Sequence, residues 1–273
     1  MIEIFTYPFM QAAFIAGGAI AIVSPLIGSF LVLKRYSLIA DTLSHVALAG
    51  IAVSLITKTE PLYITTLLCI GVSLLIEFLR QKRGIQGDAV LAMFLPGGLA
   101  LSVILLSLVK TPSAPITSYL FGSVTTISLT EAVSIVFLAS FTILLIASIY
   151  DKLVYTTYDE ESAKAGGIQT TLLNTHLMVL TALTVSISFR LVGALLIGAL
   201  MVIPVVSSQL LASGFRQTIT LAMIYGIASM FLGLVLSFFI NIPAGSTVVL
   251  VSLVFFTFSF LLSSKRQIFF GKK

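Results

Sequence analysis

Two ionisable side chains lie four residues apart in an otherwise apolar run, SLIADTLSHVALAG at residues 37–50. On an α-helix four residues advance about 400°, so Asp41 and His45 would stack on one face. A carboxylate beside an imidazole is a ligand pair for Zn²⁺, Mn²⁺ or Fe²⁺. It is also the kit of a proton relay, and a third reading is a pair that only ties helices together. Ser37 and Ser44 are further polar candidates for the same path, and Thr42 offers an oxygen on another face. If Arg35 marks the nearer interface, His45 lies roughly 15 Å along a helix from it, near mid-bilayer.

The elements that must position this pair are membrane spans. Of the 273 residues, 58% are hydrophobic and only 9% are charged, with mean hydropathy +1.15. Soluble domains carry about 25% charged residues, so lipid must solvate much of this chain. Apolar stretches of spanning length fall near 8–33, 38–57, 61–79, 88–109, 130–150, 171–189, 191–212, 218–240 and 247–263. This predicts an all-α polytopic protein of about nine spans. Eight remain possible, because 191–212 carries Pro204 and the Phe189–Arg190 link is weak.

Lys34, Arg35, Arg80, Lys82, Arg83, Lys152, Lys164, Arg216 and the C-terminal Lys265, Arg266, Lys272 and Lys273 fall on one side if nine spans alternate. Only Lys58, Lys110 and Arg190 fall on the other. The expected orientation therefore has the N-terminus outside and the C-terminus in the cytoplasm. This loop placement explains the net charge of +5 without nucleic acid. Residues 1–273 read as one transmembrane domain. The opening MIEIFTYPFMQAAF lacks a basic leader and runs directly into a span. Cys69, inside an apolar run, only packs. Pro25, Pro96-Gly97-Gly98 and Pro204 interrupt spans, which a bundle or cavity can accommodate.

Other chemistry is sparse. GxxxxGK[ST], HExxH, GxSxG and any Cys pair are missing from the sequence, so no nucleotide loop or hydrolase centre is legible. Glu77, three residues before Arg80, reads as half of an interfacial ion pair. Asp88 after Gly87 reads as a helix N-cap. His176 reads as a snorkelling or hydrogen-bonded core histidine, and Arg190 as a snorkelling interfacial cation. The longest segment on the basic side, 151–170, contains helix formers and acids at Asp159–Ala165, then Gly166–Gly167 as a helix stop. It is either an ordinary solvated helix or a docking helix for a cytoplasmic partner.

The run LVLKRYSLIADTLSHVALAGIAV (31–53) resembles the signature of the ABC-3 family, membrane permeases of bacterial ABC importers for zinc and manganese. The shared elements are the basic pair Lys34–Arg35, then Ser37, Asp41, His45 and Gly50; Ala40 stands where many members have Gly. SYLFGSV (118–124), YDEESAKAGGI (158–168), VGALLIGALMVIPVVSS (192–208) and NIPAGSTVVL (241–250) resemble further family segments in order. A more distant likeness is to cobalamin and iron-siderophore permeases, which lack the Asp–His pair.

The resemblance implies a type II importer-like bundle in a bacterial or archaeal cell membrane, and no enzyme activity of its own. It implies a second permease copy, a cytoplasmic ATPase that uses ATP, and an extracytoplasmic metal-binding protein. It makes Asp41 and His45 the metal path, doubled by symmetry. It makes Asp159, Glu160, Glu161, Ala165, Gly166 and Gly167 the ATPase coupling segment. No cofactor is implied for this chain; Zn²⁺ or Mn²⁺ is cargo, with spacing and loop lengths slightly closer to the zinc branch. Uptake of iron, an iron chelate or a cobalamin-type nutrient is the alternative function, followed by a proton-coupled metal carrier.

Overall fold

In the computed structural model, residues 7–109, 122, 128–194 and 196–270 are described. They form α1 (Pro8–Leu33), α2 (Ile39–Thr57), α3 (Pro61–Arg83), α4 (Gly87–Ser107) and α5 (Leu129–Tyr158). There follow α6 (Glu160–Ala165), α7 (Thr170–Val192), α8 (Ile197–Gln209), α9 (Phe215–Ile240) and α10 (Ala244–Phe270). Among the described residues there is no strand. The SYLFGSV segment lies outside the described residues apart from Gly122.

Local chemistry sets the helix boundaries. Pro8 and Pro61 open α1 and α3, where a missing N–H costs nothing. Ser128 and Glu131 close a reciprocal capping box at the start of α5. Gly84 and Asn241 end α3 and α9 in the left-handed conformation, with φ of 63° and 57°.

Among the described residues, eight helices are long and apolar enough to cross a membrane, so this is a multi-pass membrane protein. The expected seventh span, at 191–212, divides instead, which leaves the eight-span alternative. Helix α7 runs on to Val192, Gly193 turns the chain at φ 84°, and α8 then holds only 13 residues. Thirteen residues rise about 20 Å, short of the ~30 Å hydrocarbon core. A window of about 20 residues cannot register that break, because both sides of it are apolar.

Helices α1, α2 and α7 form the centre, with about 70% of each spanning window buried; α4 is the most peripheral at 17%. Helix α1 packs on α5, α8 and α9, and α2 on α3 and α4. Small residues bring the backbones together, as in other membrane bundles. A Cβ on Gly226 of α9 would meet the Ala21 carbonyl of α1 at 2.5 Å and the Pro25 ring at 2.8 Å. That carbonyl is the one the proline's missing N–H leaves free.

The ends of the bundle are marked by contacts. Tyr7 lies 5.9 Å from the Phe238 ring, whereas Phe30 and Tyr158 both meet Phe215, at 5.1 and 5.8 Å. The second end is the basic one, since it carries Lys34.

Candidate functional site

Helix α2 starts later than a straight reading from Arg35 implies. Residues 34–38 form a turn, with Arg35 at φ 62° and the Tyr36 N–H donating to Leu31 O at 2.8 Å. Asp41 therefore sits in the first turn of α2. From Ile39, His45 is about 9 Å along the helix rather than 15 Å. Both side chains are half-buried.

Their polar neighbours are largely occupied. Ser44 Oγ donates to the Asp41 backbone carbonyl at 2.8 Å, and Thr42 Oγ1 donates to Leu38 O at 2.9 Å. Ser37 is half-buried in the preceding turn. His45 Nδ1 is buried without a hydrogen-bond partner among the described residues. Such an atom costs free energy unless something else satisfies it.

Two glycines from other helices border the pair. A Cβ on Gly98 of α4 would sit 3.5 Å from His45 Cβ and 3.3 Å from Val46 Cγ2. A Cβ on Gly198 of α8 would sit 2.6 Å from Asp41 Cγ and overlap Oδ1. Among the described residues there is no cluster of three or more His, Cys, Asp or Glu side chains that could hold a metal. One chain thus offers a carboxylate and an imidazole: a sparse ligand set, not a closed cage.

A second polar cluster occupies the basic end. Lys34 Nζ donates to Asn174 Oδ1 at 2.7 Å and to Thr156 O at 3.2 Å, and lies 3.9 Å from Glu160 Oε2. Arg80 holds Glu77 in a two-pronged pair at 2.7 and 3.0 Å, and reaches Glu160 at 3.3 and 3.4 Å. Asn174 Nδ2 donates to Glu160 Oε1 at 2.9 Å, and Gln81 Nε2 donates to Glu77. A cavity of ≈ 260 Å³ opens here, lined by Lys34, Arg35, Tyr36, Arg80, Thr156 and Glu160 among others.

Burial pushes the Lys34 ammonium down to about 8, against the opposing pull of Glu160. Burial also raises the Tyr36 phenol above its usual value. The cluster joins the α1–α2 turn, α3, α5, α6 and α7.

The 158–168 segment forms the expected short helix, α6. Asp159 caps it, accepting from Ser162 N at 2.9 Å and Ser162 Oγ at 2.5 Å, which holds its carboxyl below the usual range. Helix α6 ends at Gly166, with Gly167 at φ 81°. Glu161, Ala165, Gly166 and Gly167 are exposed, whereas Glu160 turns inward to Arg80 and Asn174.

Glu77 is paired with Arg80 as expected, but its side chain is only 3% exposed, so the pair is more buried than interfacial. Asp88 is not an N-cap: Gln86 holds that place and Asp88 lies in the first turn of α4, where a carboxylate still favours the helix dipole. His176 Nδ1 lies 2.7 Å from Leu172 O and the residue is exposed, so it is hydrogen-bonded but not a core histidine. The Arg190 side chain lies outside the described residues.

Sequence reasoning missed the roles of Lys34 and Asn174 in the basic-end cluster, and of Gly98 and Gly198 beside the Asp41–His45 pair. A polar Asn174 inside an apolar span was the available signal for the first. The glycines carried none.

The geometry can be set beside known proteins. Residues 6–263 match the model of the ABC 3 transport family. The manganese transport system membrane protein MntC of Listeria monocytogenes is 31% identical over 267 residues, which cover 98% of this chain and 95% of that protein. The high-affinity zinc uptake system membrane protein ZnuB of Buchnera aphidicola is 30% identical, covering 94% and 97%. The structure of PsaBC from Streptococcus pneumoniae in complex with Fab superposes with a TM-score of 0.84 at 28% identity, covering 95% of each chain.

Proposed function

This chain belongs to the ABC 3 transport family, and on that premise we propose that it is the permease of a divalent metal importer in the plasma membrane, with Zn²⁺ or Mn²⁺ as cargo. The observation that carries the site is His45 Nδ1, buried and without a partner among the described residues, one helical turn from Asp41. An imidazole nitrogen in that state is ready to accept a metal, and the carboxylate supplies counter-charge where dielectric is low. Relatives named for manganese and for zinc match at nearly the same identity, 31% and 30%. The lean toward zinc therefore rests on motif spacing and loop lengths.

Two permease copies around a two-fold axis would present two Asp41 and two His45, up to four N/O ligands in one path. A transport site must bind well enough to accept the ion and weakly enough to release it. Sparse ligands from two chains suit that balance. The basic end faces the cytoplasm in this reading, following the positive-inside rule. There α6 seats in a separate ATPase subunit, which hydrolyses the ATP. An extracytoplasmic binding protein delivers the ion at the opposite end. The carboxylate of Glu160 is shared between Arg80 and Asn174, so motion of α6 passes directly to α3 and α7.

The test is metal uptake by permease, ATPase and binding protein reconstituted together. Asp41→Asn and His45→Ala should each abolish Zn²⁺ or Mn²⁺ uptake while the protein still inserts and assembles. Full uptake by both variants would remove the pair from the ion path.

A further inference from the structure

The break between α7 and α8 aims a helix start at Asp41. Gly193 turns the chain at φ 84°, a backbone state that residues with a Cβ rarely adopt. Helix α8 then begins at Ile197 without a side-chain cap. Its second residue, Gly198, is buried, and a Cβ there would fall on the Asp41 carboxylate, 2.6 Å from Cγ.

The opposite side of α8 is equally close-packed. A Cβ on Gly28 of α1 would overlap the Met201 carbonyl oxygen and lie 2.9 Å from its carbon. Helix α8 is therefore wedged between the backbone of α1 and the side chain of Asp41. Of these two neighbours, the α1 backbone cannot give way, whereas the Asp41 carboxylate can rotate about χ1.

From this asymmetry we infer that Gly198 is a positioning residue for the transported ion, because its missing side chain reserves the space in which the Asp41 carboxylate stands one turn from His45. The inference rests on the reading of Asp41 and His45 as the ion path, and it names what fixes their geometry. A single added methyl at 198 takes the volume of the carboxylate. The backbone of α8 stays where Gly28 and α1 hold it, and Asp41 turns away. The protein still folds, because the atoms displaced are the end of one flexible side chain. The two ligands no longer converge on one ion.

The inference makes Gly198→Ala a test of ion affinity rather than of stability. In reconstituted vesicles, the KM for Zn²⁺ or Mn²⁺ uptake should rise 10- to 100-fold, as when a group that orients a metal ligand is lost. The maximal rate should change far less, and the thermal unfolding midpoint of the purified permease should stay close to that of the parent. Gly71→Ala is the matched control, since a Cβ there meets nothing within 4 Å, and it should leave KM unchanged.

An unchanged KM in Gly198→Ala, alongside a dead Asp41→Asn, overturns the positioning role and leaves the ion path standing. A fully active Asp41→Asn overturns the positioning role as well, and full uptake by both Asp41→Asn and His45→Ala overturns the ion path itself. Failure of Gly198→Ala to fold would show that the carboxylate does not yield, and would overturn the inference too.

Discussion

Replacing Glu160 by Gln keeps its size and removes the charge that three chain segments share. The carboxylate accepts from Asn174 at 2.9 Å and from Arg80 at 3.3 and 3.4 Å, with Lys34 Nζ at 3.9 Å. Its side chain is 38% exposed, so the Arg80 and Lys34 pairs are partly screened and contribute about 0.2–1 kcal/mol each. The Asn174 bond to an ionised acceptor adds about 1 kcal/mol over the amide replacement.

Lys34 sets the upper limit. Its side chain is 6% exposed and its proton is already held weakly, at about 8. Without Glu160 that value falls, and at pH 7 Lys34 can shed its proton instead of standing as a stranded buried charge. Crossing one pH unit costs about 1.4 kcal/mol, less than the 3–5 kcal/mol of an unpaired buried ion. The expected loss is therefore about 2 kcal/mol, read by equilibrium SDS unfolding of the purified permease at pH 7. In a Lys34→Met background the loss should shrink by about 0.5–1 kcal/mol, because the cycle removes their shared interaction. A Glu160→Gln protein within about 0.3 kcal/mol of the parent, or an identical loss in both backgrounds, would refute this account of the cluster.

Other consequences follow from the same contacts. Glu160→Lys sets a third cation beside Lys34 and Arg80 and should raise ATP hydrolysed per ion transported, as should Gly166→Pro at the end of α6; ratios equal to the parent's in both would place coupling elsewhere. Lys34 in the folded protein titrates near 8 against 10.5 when unfolded, so between these values the unfolded chain binds more protons and stability should rise with pH. That rise, about 3.4 kcal/mol in full for 2.5 pH units at 1.36 kcal/mol per unit, should be missing from Lys34→Met when unfolding is followed from pH 7 to pH 11. Gly28→Ala pushes a methyl into the Met201 backbone rather than into a side chain. It should cost about 1–3 kcal/mol in the same unfolding assay, whereas Gly71→Ala should cost under about 0.5 kcal/mol.

The sequence by itself determined what depends on local pattern. Low charge and long apolar runs fixed the membrane as solvent, and the four-residue spacing put Asp41 and His45 on one helical face. The acids and paired glycines of 158–168 marked α6 to within a residue or two, because caps and stops are written in neighbouring side chains. The motifs in order pointed to the family.

Tertiary structure decided what depends on contacts between distant segments. Lys34 finds Asn174 from 140 positions away and Thr156 from 122. Glu160 faces inward only because Arg80 and Asn174 are there to receive it. The division of 191–212 into the end of α7 and a half-length α8 is a backbone decision at Gly193, invisible to hydropathy because both halves are apolar. The same holds for the approach of Gly198 to Asp41. A glycine announces that a Cβ is missing, and only the packed bundle shows which neighbour occupies the space it leaves.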